Sequence, residues 1–172
     1  MSAAYINYGD LPVATESFNC GEPSLDEFIK EHAQTFIRKG LSAVTLLIEV
    51  ENRELIGFYA ISPFAINGRA LRSEQSKYYD VTFPIPAWKI GLLAVDKKHQ
   101  RNSNRDEPKR YGSMLLQEAI QEIQKRADKG AGALILVDAI DKKVKKFYKK
   151  FGFSSIPNTS NQMVRTLSEQ VD

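Results

Sequence analysis

The sequence predicts one mixed α/β domain spanning residues 1–172, with a strand–loop–helix crossover near its middle. Three observations predict it. Apolar residues recur at helical spacing in separate stretches, with short strand-like runs between them, giving the order helix, β-hairpin, strand, helix, strand, helix, strand. No repeat, low-complexity tract or linker divides the chain. Hydrophobic residues at 42% and charged residues at 26% suit a globular protein with an ordinary core.

The first helix is expected to start near Ser24, because Ser24-Leu-Asp-Glu27 has the form of a capping box. Leu25, Phe28, Ile29, His32 and Phe36 then follow at helical spacing as its core stripe, and Gly40 ends it. His32 within that stripe reads as a packed, hydrogen-bonded histidine. The runs Ala43–Val50 and Leu55–Ile61, joined by Glu51-Asn-Arg-Glu54, read as a hairpin. Residues 70–79 are weakly helical, and Pro84 and Pro86 then interrupt the chain before the apolar run Ile90–Val95. A helix from about Tyr111 carries the stripe Leu116, Ala119, Ile120, Ile123, Ala127 and closes at Gly130 and Gly132. Ala133–Val137 reads as a buried strand. A last helix over about Asp141–Phe151 sets Val144, Phe147, Tyr148 and Phe151 on one face; Gly152 caps it, and a closing strand starts at Phe153.

Composition excludes several classes. The longest apolar runs are far shorter than the ~20 residues of a membrane helix. The first ten residues have neither the basic nor the apolar part of a signal peptide, so a cytoplasmic protein without a membrane partner is expected. Cys20 is the single cysteine, which rules out an internal disulfide and reads as a small residue in a turn. With two histidines besides, no protein-built metal site is expected.

The net charge is only +3, yet it is unevenly spread. Lys97–Arg110 holds six Lys/Arg against Asp106 and Glu107, and Asp141–Lys150 holds six lysines against one aspartate. These runs suit an anionic ligand, though charge runs are more often solvated faces. The strand at Ile90–Val95, the basic turn after it and the helix from Tyr111 have the parts of an anion site, in which N–H groups at a helix N-terminus meet phosphate. An ordinary surface loop has the same parts.

At this point the chain resembles the GNAT acetyltransferases, whose motif Q/R-x-x-G-x-G/A grips the pyrophosphate of acetyl-CoA. Gln100 and Gly112 lie twelve positions apart where the motif's ends lie five apart, and the seven-residue polar stretch Asn102–Pro108 accounts for the surplus. Arg110 stands at the middle glycine. The resemblance implies that Gln100, Arg101, Arg110, Tyr111, Gly112 and Ser113 form the pyrophosphate cradle, where cationic side chains stand in for the close main-chain approach that glycines allow. It also implies that the main chain of Leu93, Ala94 and Val95 meets the pantetheine arm. Val137-Asp-Ala-Ile-Asp141, then Phe147-Tyr148-Lys-Lys-Phe151-Gly152-Phe153, resemble the family's strand–helix signature. Tyr148 falls on its tyrosine beside the CoA sulfur, implying a general acid for the departing thiolate; spacing alone also allows a core aromatic. Asp141 matches a cofactor-side position and also suits a helix N-cap.

Phe18-Asn-Cys20-Gly21 through Phe28, Leu93-Ala-Val-Asp96 and Val137-Asp-Ala139 are similar to GNAT toxins of type II toxin–antitoxin systems. That resemblance implies acetylation of the α-amine of aminoacyl-tRNA, a ribbon–helix–helix antitoxin as partner and a homodimer. Two other readings remain open on the residues: acetylation of a small amine or a protein N-terminus, and a non-catalytic module whose phosphate loop has decayed.

Overall fold

The computed structural model describes residues 2–71, 79, 83–100, 110–127, 132–159 and 161–167. Seven strands occur among them: β1 (Ala3–Asn7), β2 (Ala43–Glu49), β3 (Leu55–Asn67), β4 (Pro84–Val95), β5 (Leu134–Asp138), β6 (Ser154–Ser155) and β7 (Gln162–Thr166). They form one sheet in the order β1-β2-β3-β4-β5-β7-β6. β4 and β5 are parallel, while β1–β2, β2–β3, β5–β7 and β6–β7 are antiparallel. The expected mixed α/β class is therefore the observed one. The chain clusters into two compact units, Met1–Ser62 with Leu92–Ala119, and Pro63–Gly91 with Ile120–Asp172.

In the first unit, the predicted hairpin forms and gains β1 as a third strand, with Ala3 opposite Glu49 and Asn7 opposite Thr45. Helix α1 (Pro23–Glu27) runs through a π-turn (Phe28–His32) into α2 (Ala33–Arg38). The capping box does not form. Pro23 sits at the first helical position after Glu22, which makes no side-chain cap. Ser24 Oγ instead donates to Glu22 Oε1 at 3.1 Å, and Asp26 Oδ1 accepts the Cys20 N–H at 2.8 Å. The expected stripe also breaks after Ile29. In the π-turn Ala33 N–H bonds Phe28 C=O, and the extra residue rotates the face that follows. Ala33 thus becomes buried, while Phe36 is partly exposed and His32 turns outward to Glu27 at 3.2 Å. Phe18, Phe28, Ile29, Leu46 and Phe58 form the core here, with the Phe18 and Phe28 rings 5.6 and 6.0 Å from Phe58.

Pro84 and Pro86 lie inside β4 and do not interrupt it. The sheet tolerates Pro86 because it needs only its carbonyl, which accepts Ala133 N–H at 2.8 Å where the β5 ladder begins. The ladder continues from Ala87 opposite Leu134 to Ile90 opposite Val137. Residues Leu134–Val137 are fully buried, paired with β7 on their other edge. Helix α3 (Tyr111–Ala127) buries Leu115, Leu116, Ala119, Ile120 and Ile123, close to the predicted stripe. Helix α4 (Lys142–Lys149) is the predicted lysine-rich helix. Of the weakly helical stretch 70–79, only Ala70 lies in a described helical turn, the 3-10 turn Gly68–Ala70, and Leu71 after it is extended. Residues 72–78 lie outside the described residues, as does Gly130. Among the described residues, no helix is long and apolar enough to cross a membrane.

Candidate active site

The end of β4 is where strand and helix face the same chemistry in the first unit. Beyond Ile90 the strand runs on to Val95, past the last residue of its register with β5. Leu93 and Val95 are half-buried and Ala94 is buried. Ala94 packs closely on β3: a Cβ at Gly57 would lie 2.5 Å from Ala94 C=O and 2.8 Å from Leu115. Asp96 then turns the chain. Its buried carboxylate accepts Asn19 N–H and Lys98 N–H, both at 2.9 Å, anchoring the turn to the segment before α1.

Gln100 is committed to protein. Its Nε2 donates to Val95 C=O at 2.8 Å and Cys20 C=O at 2.9 Å, stapling the turn to the end of β4. His99 is buried against the Tyr111 ring at 5.8 Å and lies 3.6 Å from Glu54. Burial acts to raise the Glu54 carboxyl, but Lys98, bonded to it at 3.3 Å, and His99 outweigh burial and hold it below its ordinary value. Sequence reasoning missed this Glu54–His99–Tyr111 support, since pairing across a long separation leaves no local pattern. Arg101, the stretch Asn102–Pro108 and Lys109 lie outside the described residues.

Arg110 is exposed and directly precedes α3, its carbonyl accepting Met114 N–H at 3.0 Å. Tyr111 is buried, whereas Gly112 and Ser113 are half-buried in the first turn, where N–H groups lack helical partners. Among the described residues, a Cβ built on Gly112 would meet nothing within 4 Å, so none of them packs on this glycine. The N–H groups of that first turn fit a phosphate group. A separate open cleft of about 550 Å³ touches Gly21, Asp26, Lys30 and Lys97, and none of the predicted site residues lines it. Burial pushes the Cys20 thiol up to about 11, as suits an inert turn residue.

In the second unit, Asp141 caps α4, its Oδ1 accepting Val144 N–H at 2.8 Å. The Phe-Gly-Phe end of the helix has a physical reason. Gly152 takes φ +84°, closed to most side chains, so that Gly152 N–H bonds Lys149 C=O at 3.1 Å and Phe153 N–H bonds Tyr148 C=O at 3.3 Å. This closure brings the Phe153 ring to 5.5 Å from Tyr148, with Phe147 at 5.4 Å. Tyr148 is thereby buried, and burial first, then the Asp138 charge, pushes its phenol up to about 12. It stays protonated at neutral pH. Among the described residues its hydroxyl has no hydrogen-bond partner, and no group of three His, Cys, Asp or Glu could hold a metal.

No family model matches the chain. It is 30% identical over 146 residues to the tRNA-acetylating toxin of Mycobacterium tuberculosis H37Rv, covering 82% of this chain and 78% of that protein. It is 26% identical to the probable toxin TacT of Sinorhizobium fredii, over 86% of this chain and 81% of the relative. Among solved structures, AtaT complexed with acetyl-methionyl-tRNAfMet superposes with a TM-score of 0.84 at 21% identity, over 96% of this chain and 95% of that one. A tyrosine-to-phenylalanine mutant of AtaT, bound to the C-terminus of the antitoxin AtaR and acetyl-CoA, gives 0.76 at 19% identity, over 96% and 93%. Those structural likenesses establish the fold. Identity of 30% across four-fifths of the chain establishes more: the protein belongs to the tRNA-acetylating toxins of the GNAT acetyltransferases.

Proposed function

We propose that this chain transfers the acetyl group of acetyl-CoA to the α-amine of aminoacyl-tRNA and so withdraws charged tRNA from translation. The observation that carries the reading is Tyr148, a buried phenol held in its protonated form on a helix closed by Gly152, in a member of that toxin family.

Acetyl-CoA supplies an activated thioester. The first turn of α3, with Gly112, Ser113 and Arg110, takes its pyrophosphate, where dipole and arginine both favour negative charge. Gln100 and Tyr111 hold that turn in shape through their protein contacts; Arg101 is a further cation for the same cradle. The main chain of Leu93, Ala94 and Val95 pairs with the pantetheine amides as a missing strand would. Asp141 acts as the helix cap. During transfer, the amine nitrogen bonds the acetyl carbon and the carbon–sulfur bond breaks, its electrons going to sulfur. The Tyr148 proton passes to sulfur, the amine gives up its proton to water, and water restores the phenol. No dedicated base is needed, because about a tenth or more of an α-amine (pKa about 7.7–8.0) is neutral at pH 7, against well under a thousandth of a lysine amine (pKa about 10.4).

Partners follow from the same reading: an antitoxin of the ribbon–helix–helix kind and a second copy of the chain, in a cytoplasmic setting. Labelled acetyl-CoA incubated with bulk charged tRNA is the test. Label on the amino-acid moiety, absent with uncharged tRNA, is the expected result; label only on free amines or protein N-termini would replace the acceptor, and no transfer with no acetyl-CoA binding would return the chain to a non-catalytic module.

A further inference from the structure

The C-terminal end of α4 gathers more positive charge than its own architecture can balance. Arg165 of β7 stands opposite Ile135 in the ladder and alternates with Val164, so it leaves the sheet on the face away from the Leu134–Leu136 core. From there it runs along the open side of Gly152: a Cβ at Gly152 would lie 3.5 Å from Arg165 Nε and 3.8 Å from its Cδ. The stem thus packs on the turn that closes α4, and the residue is half-buried. Among the described residues its guanidinium makes no hydrogen bond or ion pair. Exposed Lys149 and Lys150 end the same helix. A helix C-terminus offers about half a unit of negative charge, enough to favour one cation and not three. Nor does α4 supply a counter-charge, since Lys142–Lys149 holds five lysines and no acid. The surplus calls for an anion from outside.

The shape of the cluster says which kind. Lys142, Lys146 and Lys149, all exposed, recur at helical spacing along one side of α4, a row about 10 Å long that ends beside the Gly152 turn. Such a row suits a polyanion with charges at regular intervals better than a single phosphate. The lysines are flexible point charges, whereas a guanidinium with a packed stem presents a planar fork that fits two oxygens of one phosphate. We propose that Arg165 is the fixed anchor for an RNA backbone: it takes one phosphate of the acceptor tRNA at the closed end of α4, and the lysine row takes those that follow. This names a contact surface for the acceptor assigned above and rests on that assignment. A guanidinium that only capped the helix would alter stability and leave RNA binding alone, so the two roles separate.

The test titrates the full chain against fluorescently labelled, uncharged tRNA from 50 to 300 mM salt. Arg165→Gln should weaken binding about tenfold at 150 mM and reduce the slope of log Kd against log salt by about 0.7–0.9, the share of one phosphate. Arg165→Lys should keep the slope, because the charge stays, and lose about threefold in affinity with the fork. Acetyl-CoA affinity, and rates with a free amino-acid ester as acceptor, should not change in either. An unchanged slope in Arg165→Gln overturns the anchor. Arg165→Lys, which keeps most of the stem packing, carries the test should the glutamine variant not fold: undiminished affinity there overturns the anchor as well. Polyglutamate that binds as tightly as tRNA, with the same loss in Arg165→Gln, makes the surface one for an acidic peptide and overturns the RNA assignment. Arg165-dependent tRNA binding without acetyl transfer to charged tRNA supports the anchor and overturns the acceptor reading instead.

Discussion

Tyr148 combines two properties that a surface tyrosine lacks: it is 6% exposed, and its phenol ionises near 12. Tyr148→Phe removes one oxygen and leaves the ring packing of Phe147 and Phe153, so kcat should fall about 10²–10⁴-fold while acetyl-CoA affinity, measured by calorimetry, holds. The same residue makes the fold alkali-sensitive. Below pH 10 the phenol is protonated folded and unfolded. Between pH 10 and about 12 only the unfolded chain ionises it, so stability is lost as pH rises, by about 3 kcal/mol in all. Urea unfolding at pH 9 and 11 should show that loss in the native protein and not in Tyr148→Phe. Gly112 offers the opposite kind of test. Since a Cβ there meets nothing among the described residues, Gly112→Ala should stabilise α3 by about 0.5–1 kcal/mol and yet raise KM for acetyl-CoA, a split visible by pairing thermal unfolding with kinetics.

At the scale of elements, the closest fit is β3 on the end of β4. Gly57→Ala would press a methyl group on Ala94 C=O, which is main chain and cannot swing aside. It should cost about 1–3 kcal/mol, read as a lower urea midpoint. Elements with a strong internal period were legible from sequence: the β2–β3 hairpin, α3, β5 and α4 all stand where their apolar spacing puts them. β1 and β7 were not, because Ala3–Asn7 and Gln162–Thr166 are short and gain order from neighbours remote in sequence. The first helix misled for a related reason. Pro23 and the π-turn fix its start and its register, and neither follows from the Ser24–Glu27 signature. Of the candidate residues, what local motifs made legible is placement: Asp141 caps α4, and Tyr148 lies on the aromatic face that Gly152 closes. The Glu54–His99 contact was not legible, since the turn brings the two together across dozens of residues.

For the whole molecule, charge is the property that decides how a nucleic acid is met. The net +3 hides six lysines between Asp141 and Lys150, most of them exposed on α4. If tRNA phosphates lie against such residues, log kcat/KM for charged tRNA should fall with log salt by about 0.7–0.9 per phosphate contact, while a free amino-acid ester as acceptor shows almost no slope. Steady-state rates from 50 to 300 mM salt check this. The order of strands also bears on when the protein becomes dangerous to its maker. β7 is synthesised after Tyr148, yet it flanks β5 and supplies Met163 and Val164, both fully buried. A nascent chain that has already made its tyrosine helix therefore still lacks the strand that pairs along β5. Acetylation of charged tRNA thus waits on β7.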